Sequence, residues 1–251
     1  QKIEGYVEFV VKNQTSKYDI KAPEGTVSVI DPTNVTAEEF EKIKEKVKIE
    51  YSQTNNDANF TSKRGQSVDN QATRISTITK DANGNLVVTY KDGSTDTKPL
   101  SEFTSLNKQP AIDAVNKAAE DKIAEINSNT NATAEEKATA IEKVNADKTK
   151  AITAINANSV TTKAALDNAK TSGTTAISND NPVATKKDTA KTAIDTALRE
   201  KEAAIDANNA LTTEEKNAAK AEAQAKATVA KTAIDNATTN VAVDQAKADG
   251  T

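Results

Sequence analysis

The chain has 251 residues, room for one large domain or two to three small ones at roughly 100–200 residues per domain. It contains no Cys, His, Met or Trp, which excludes catalysis by Cys or His, metal sites that need either, and disulfide stapling. Its 33 basic and 37 acidic residues are well mixed and leave a net charge of −4, without the basic stripe of a nucleic-acid binder.

With no Met to begin translation, the expectation is a segment or processed form of a longer protein. No apolar run approaches the ~20 residues of a membrane span, and no signal peptide is recognisable. All eight aromatic residues, from Tyr6 to Phe103, lie in the first half, as do five of the seven glycines. Beyond residue 105 the chain is dominated by Ala, Lys, Glu, Asp, Asn and Thr. This shift in composition predicts a domain boundary between Glu102 and Lys108.

The first half reads as β-rich with one helix. Tyr6–Val11 and Thr26–Ile30 carry the β-branched and aromatic residues that suit a half-buried pleated surface. Thr36-Ala37-Glu38-Glu39 has the form of a capping box, and Phe40, Ile43 and Val47 follow at helical spacing. Residues 52–72 are polar and Asn-rich and predict a loop. A meander closes the half: Arg74–Lys80, Leu86–Tyr90 and Thr95–Lys98, joined by turns at Asn83-Gly84 and Asp92-Gly93 that tolerate positive φ.

The second half repeats itself. Thr133-Ala134-Glu135-Glu136-Lys137 recurs as Thr212-Thr213-Glu214-Glu215-Lys216, an offset of 79, and at that offset 18 of the 46 positions from Ala111 to Asn156 are identical. The offset then falls to 77, where Gly173-Thr174 matches Gly250-Thr251. A period this long is the signature of an array of helical units. Each unit parses into three helices. In the first unit the predicted buried faces are Ile112, Val115, Ala119, Ile123 and Ile126; then Ile141, Val144, Lys148, Ile152 and Ile155; then Leu166, Ala169, Gly173 and Ile177. In the second they are Ile194, Leu198 and Ile205, then Ala219, Ala223, Ala230 and Ile234, with a truncated third helix over Val241–Lys247. The expected domains are a β-rich module with one helix at 1–105, a three-helix repeat at 106–180 and a second at 181–251. The fold class is multidomain α and β: an N-terminal β-rich (α+β) module, then tandem three-helix bundles in an elongated array.

Few residues invite a chemical role, and no catalytic, cofactor-binding or metal residue is assigned. Asp81-Ala82-Asn83-Gly84-Asn85 has the oxygen-rich flavour of a calcium loop but lacks its bidentate glutamate, so a plain turn is expected there and at Asp92-Gly93-Ser94. Five Asn-X-Ser/Thr triplets, at Asn13, Asn34, Asn59, Asn131 and Asn236, are what chance gives in an Asn- and Thr-rich chain. The pairs Glu135-Glu136 and Glu214-Glu215 fall in first helical turns, where capping and the helix dipole account for them. No phosphate loop, nucleophile elbow or Rossmann fingerprint occurs.

The segments Ala111-Ile112-Asp113, Thr133–Lys137, Ala151–Ile155, Ala193-Ile194-Asp195 and Thr212–Lys216 carry a resemblance. Residues 109–251 resemble the Ala-, Lys- and Asp-rich helical repeats of giant cell-wall-anchored surface proteins of Gram-positive, especially staphylococcal, cocci of the FmtB/Mrp, SasC and Ebh types. Asp31–Val47 and Gly84–Asp96 are similar to parts of Rib-like modules of streptococcal surface proteins, with a long insert at Ser52–Asn70 that departs from the compact form. The resemblance implies an extracellular, wall-anchored location and roles in adhesion, aggregation, biofilm or virulence.

These observations point to a non-enzymatic, monomeric spacer or stalk that projects adhesive domains from the wall, without cofactor, nucleic acid or membrane contact. The alternative is an adhesin module that binds a host matrix or serum protein, or a neighbouring bacterial cell. The repeats themselves favour the spacer. Glu125 stands opposite Ala204, Glu142 opposite Ala221 and Lys150 opposite Val229, so the surface drifts between copies. Residues 109–251 hold no aromatic residue and one arginine, Arg199, which leaves few of the anchors that dominate protein interfaces.

Overall fold

A computed structural model describes Gly5 and residues 12–251. The expected strand at Tyr6–Val11 lies outside the described residues. Contacts separate a first unit ending at Lys108, with which Thr161–Ala165 also groups, from a second unit of Gln109–Val160 and Leu166–Thr251. The whole is an α and β module followed by helical bundles.

The first unit contains β1 (Tyr18–Ile20), β2 (Val27–Val29), α1 (Ala37–Glu45), β3 (Ile49–Tyr51), β4 (Ile75–Lys80), β5 (Asn85–Tyr90), β6 (Thr95–Pro99) and β7 (Thr104–Leu106). The predicted meander forms as an antiparallel sheet in the order β4-β5-β6, with Gly84 and Gly93 at φ 80° and 85° in its two turns. The alternation along β5 buries Leu86, Val88 and Tyr90, and these three pack with Tyr18, Val29, Ile43, Ile49 and Phe103 in one core. Two small sheets surround it. β1 and β3 pair antiparallel, setting Tyr18 opposite Tyr51, and β2 and β7 pair parallel, setting Val27 opposite Thr104.

The capping box at α1 forms in full. Thr36 Oγ1 accepts from Glu39 N at 3.2 Å, and Glu39 Oε1 accepts from Thr36 N at 2.9 Å. The second oxygen of Glu39 accepts from Ile30 N at 2.9 Å, so one carboxylate both caps the helix and ties it to the chain beyond β2. The polar stretch 52–72 is largely irregular, with two 3₁₀ turns and a bridge between Glu50 and Ser67, and it contributes Val68 to the core.

The second unit contains α2 (Gln109–Ser128), α3 (Ala134–Asn156) and α4 (Lys163–Ser178), then α5 (Lys186–Asp206), α6 (Thr213–Asn236) and α7 (Asn240–Gly250). Six helices in two sets of three fit the parse into repeats. Most of the predicted face is buried as expected, Val115, Ala119, Ile126, Val144, Ile155, Leu166, Ile177, Ile194 and Ile234 among it, but at four positions the buried residue is the one before the predicted isoleucine. The seam holds Ala111, Val115, Ala119 and Ile126 of α2 and Ala140, Val144, Ala151 and Ile155 of α3, while Ile112, Ile123, Ile141 and Ile152 are only half-buried. Alanine at three of those four places, Ala111, Ala140 and Ala151, lets the helix axes approach, while Ile126 and Ile155 stay fully buried in the seam.

The closest approach is set by glycine. A Cβ on Gly173 would lie 2.4 Å from Ala151 Cβ, and one on Gly250 would lie 2.4 Å from Ala230 Cβ. Both repeats therefore use the same Gly-on-Ala crossing to seat the third helix. The outward faces carry pairs such as Lys117–Asp121 and Lys226–Glu222, each at 2.9 Å and spaced i,i+4. Such exposed pairs contribute little stability, roughly 0.3–0.5 kcal/mol, and serve mainly to solvate the surface.

Candidate functional site at the junction of the repeats

The turns with calcium-loop flavour are closed by their own chain. Asp81 accepts from the backbone of Asn83 and Asn85 and from the Asn85 side chain, and these bonds, those from Asn85 foremost, hold its carboxyl below the usual aspartate range. Asp92 accepts from both the hydroxyl and the backbone of Ser94 and from Gln14 N, and its carboxyl is likewise lowered. Asn13, Asn34, Asn59, Asn131 and Asn236 are all exposed. Among the described residues no group of three or more His, Cys, Asp or Glu is placed to hold a metal ion, and no helix is long and apolar enough to cross a membrane.

The densest polar arrangement gathers around the first pair of glutamates, where the loop between α2 and α3 meets the start of α5 and the turn between α6 and α7. Thr133 caps α3 and is fully buried, with Glu136 completing the box: Thr133 N donates to Glu136 Oε2 at 3.0 Å. The other oxygen, Oε1, accepts from Thr185 N at 3.2 Å and Lys186 N at 2.9 Å. These are orphan amides at the head of α5, and the carboxylate satisfies them while lying at the positive end of the helix dipole. Glu135 does the same for α7, accepting from Asn240 N at 3.0 Å. Ala134 N donates to Thr238 O at 2.8 Å. Two adjacent first-turn glutamates thus hold three helix starts.

Lysines close the joint. Lys187 is 6% exposed and donates to Thr130 O at 3.0 Å and Asp235 O at 2.7 Å, one acceptor in each repeat. Lys122, also 6% exposed, donates to Asn181 Oδ1 at 2.5 Å and to Glu125 at 3.3 Å. Asp180 is buried and takes the Lys143 ammonium on Oδ1, while its Oδ2 has no hydrogen-bond partner among the described residues. A buried charge is tolerated only when paired, so these contacts fix the path of the segment that leads from α4 into α5.

The sequence singled out Glu135 and Glu136 as first-turn residues, and the structure places them there. That the same carboxylates reach the next repeat is seen only in the structure. Lys122 and Lys187 gave no signal either, because a lysine on a mixed-charge helix reads as solvated. Their recurrence at the repeat offset, Lys122 with Lys201 and Lys108 with Lys187, was the one available hint.

The arrangement joins helices, and beside it lies a cavity of about 460 Å³ lined by Ile126, Asn129, Thr130, Asn131, Asn181 and Pro182. Comparison with known proteins agrees with a repeat. No curated protein and no solved structure matches the chain. A family described as Domain of Unknown Function (DUF1542), a repeat domain of Gram-positive surface proteins, matches residues 107–185 and again residues 186–251. These two matches cover more than half of the chain, which therefore belongs to the DUF1542 family.

Proposed function

We propose that this chain is a structural spacer, a stalk segment of a cell-wall-anchored Gram-positive surface protein, that holds adhesive domains away from the wall. It acts without catalysis. In this reading it is of the kind of the giant staphylococcal repeat proteins of the FmtB/Mrp, SasC and Ebh types, and the first unit is a Rib-like module.

The observation that carries this reading is the division of labour between what the two repeats share and what they do not. They share the threonine cap, its glutamate and the Gly-on-Ala crossing, all of which build or join helices. The bulky and charged exposed residues differ between them, Glu125 against Ala204, Glu142 against Ala221 and Lys150 against Val229, and the exposed positions that do recur, such as Ala124 with Ala203, Thr149 with Thr228 and Glu135 with Glu214, are small or helix-capping residues that offer a partner no large anchor. The joint supports the same reading, since it spends its buried polar groups on connecting one unit to the next.

Isothermal calorimetry tests it. Residues 109–251 titrated with fibronectin, fibrinogen, albumin or immunoglobulin should show no binding below micromolar dissociation constants. Sub-micromolar binding by this segment would replace the spacer with an adhesin, whereas binding confined to residues 1–105 would place adhesion in the first unit and leave the repeats as its support.

A further inference from the structure

The two hairpin turns of the first unit look alike in sequence and differ in what their atoms are free to do. In the turn between β5 and β6, Asp92 precedes Gly93, and both partners are engaged. Gly93 N donates to Tyr90 O at 2.9 Å. Asp92 Oδ1 accepts from Ser94 N at 3.0 Å and Ser94 Oγ at 2.6 Å, and its Oδ2 accepts from Gln14 N at 2.6 Å. In the turn between β4 and β5, Asn83 precedes Gly84, and both residues are exposed. Asn83 is tied only through its backbone, which donates to Asp81 Oδ1 at 2.9 Å. Among the described residues no hydrogen bond holds the Asn83 side-chain amide or the Gly84 N–H. A Cβ on Gly84 would meet no atom within 4 Å, so the space around this peptide bond is open. It is the one Asn-Gly pair in the sequence.

An unheld asparagine amide and the main-chain nitrogen that follows it can close a five-membered ring. Gly84 N attacks Asn83 Cγ and a C–N bond forms. The bond from Cγ to Nδ2 breaks, and Nδ2 leaves as ammonia with the proton that Gly84 N gives up. Water then opens the cyclic imide. Cleavage at Cγ gives aspartate, and cleavage at the main-chain carbonyl gives isoaspartate, whose backbone runs through Cβ and Cγ. The sum is asparagine plus water to aspartate or isoaspartate plus ammonia, with no other reactant. The tether between the two groups supplies their proximity. Glycine leaves the nitrogen unshielded and lets the chain reach conformations closed to other residues.

We propose that Asn83 is a self-modifying site, converting in the folded protein to isoaspartate and aspartate without an enzyme, and that the conversion loosens the β4–β5 hairpin while the helical repeats stay intact. Isoaspartate adds one backbone atom to a loop closed by the bond from Asp81 N to Asn85 O at 2.9 Å and anchored by that from Leu100 N to Gly84 O at 3.0 Å. Either product sets a new carboxylate in the turn that Asp81 already occupies, and like charges there repel. Leu86 and Leu100, both buried in the core, flank this turn in the chain and carry the disturbance inward. The product also adds one negative charge to a chain whose net charge is −4. Asp92 resists the same chemistry, because its carboxyl is held ionised by Ser94 and Gln14 and the attacking nitrogen is bonded to Tyr90 O. The first unit therefore records its own age in one turn and not in the other. The inference stands whether or not the repeats are stalk units.

The test incubates the full chain in mildly alkaline buffer and follows every asparagine by peptide mapping and mass spectrometry, with enzymatic methyl labelling to count isoaspartate. Isoaspartate and aspartate should accumulate at position 83 ahead of every other asparagine, with ammonia released in step, and Asp92 should stay unchanged. Asn83→Gln, which would need a larger ring, should abolish the conversion. The converted protein, separated by anion exchange, should show amide exchange about fivefold faster or more at Asp81, Asn85 and Leu100, with α2 to α7 unaltered. Asn83→Asp carries the charge without the added backbone atom and should show a smaller increase, a check that needs no conversion at all. Conversion in urea but not in the folded chain would overturn the proposal, as would equal conversion at another asparagine or isoaspartate at Asp92. So would a converted protein whose exchange at Asp81, Asn85 and Leu100 matches that of the original.

Discussion

Glu136→Ala, set beside Glu215→Ala, isolates what the joint contributes. The two glutamates complete the same capping box on the same Thr-Xaa-Glu-Glu-Lys sequence, so cap loss is common to both variants. Glu136 also holds Thr185 N and Lys186 N. Its removal costs the cap, about 1 kcal/mol, and two hydrogen bonds worth about 0.5–1.5 kcal/mol each. Because Glu136 is half-exposed, water can replace part of this, and a total of about 2–3 kcal/mol is expected. The share belonging to the joint, about 1–2 kcal/mol, corresponds to roughly 5–30-fold faster amide exchange in the first turn of α5. Glu215→Ala should leave those α5 amides unchanged and loosen only the start of α6. Native-state exchange followed by NMR resolves the two sites separately. The reasoning fails if Glu136→Ala leaves α5 unaffected, or if the two substitutions give the same pattern one repeat apart.

Lys187→Met keeps the buried stem but removes its bonds to Thr130 O and Asp235 O, worth about 0.5–1.5 kcal/mol each; because both acceptor residues are exposed and water can replace part of this, denaturant unfolding of the helical unit should show a loss of about 1–2 kcal/mol. Gly173→Val adds a branched side chain where even a Cβ meets Ala151 Cβ at 2.4 Å, and overpacking of about 1–3 kcal/mol should appear as a lower unfolding midpoint, with Ala151→Gly in the same chain relieving part of it. Burial raises the Asp96 carboxyl above the usual aspartate range, with the nearby Asp19 adding to it, against the lowering effect of bonds from Thr15 and Tyr90. A raised acid binds its proton more tightly in the folded state, so its contribution is full below the unfolded value and is lost as pH rises through the folded one. Asp96→Asn should therefore gain stability relative to the native chain as pH rises across that window, and an advantage that shrinks with pH would contradict the assignment. Chains ending at Lys108 and beginning at Gln109 should each give a cooperative melt by circular dichroism, and an unfolded fragment would show that the two halves depend on each other.

What could be read from the sequence was what is local. The boxes at Thr36, Thr133 and Thr212 are three-residue relations within one turn, and the hairpin at Asn83-Gly84 needs only its own flanking strands. The pairings that escaped notice are distant ones. β1 and β3 are three residues each and meet across more than 25 residues, and β2 meets β7 across more than 70, with no turn signal between them to announce the contact. On α2 and α3 the expected face holds at Val115, Ala119, Ile126, Val144 and Ile155 and misses by one residue at Ile112, Ile123, Ile141 and Ile152, where hydrophobicity favours isoleucine over the alanine or lysine before it. In a bundle closed by Gly173 on Ala151, small residues take the points of closest approach and large ones such as Ile126, Ile155 and Ile177 fill the core between them. The joint was the least legible feature. Glu136 and Lys187 have ordinary local explanations, and only the tertiary structure shows that one carboxylate serves two helices.

The central claim, that the repeats supply length and not recognition, is tested most directly by changing their number. An epitope-tagged first unit can be anchored to a Gram-positive cell wall through zero, two or four helical repeats, and its height above the wall measured by super-resolution localisation. Each repeat contains a helix of 23 or 24 residues, so a step of up to about 35 Å per repeat is available at 1.5 Å per residue. The account predicts that height rises in equal steps with repeat number, and that repeats with their exposed residues exchanged between the two copies behave identically. A height that ignores repeat number, or that changes when only the exposed faces are exchanged, would contradict it.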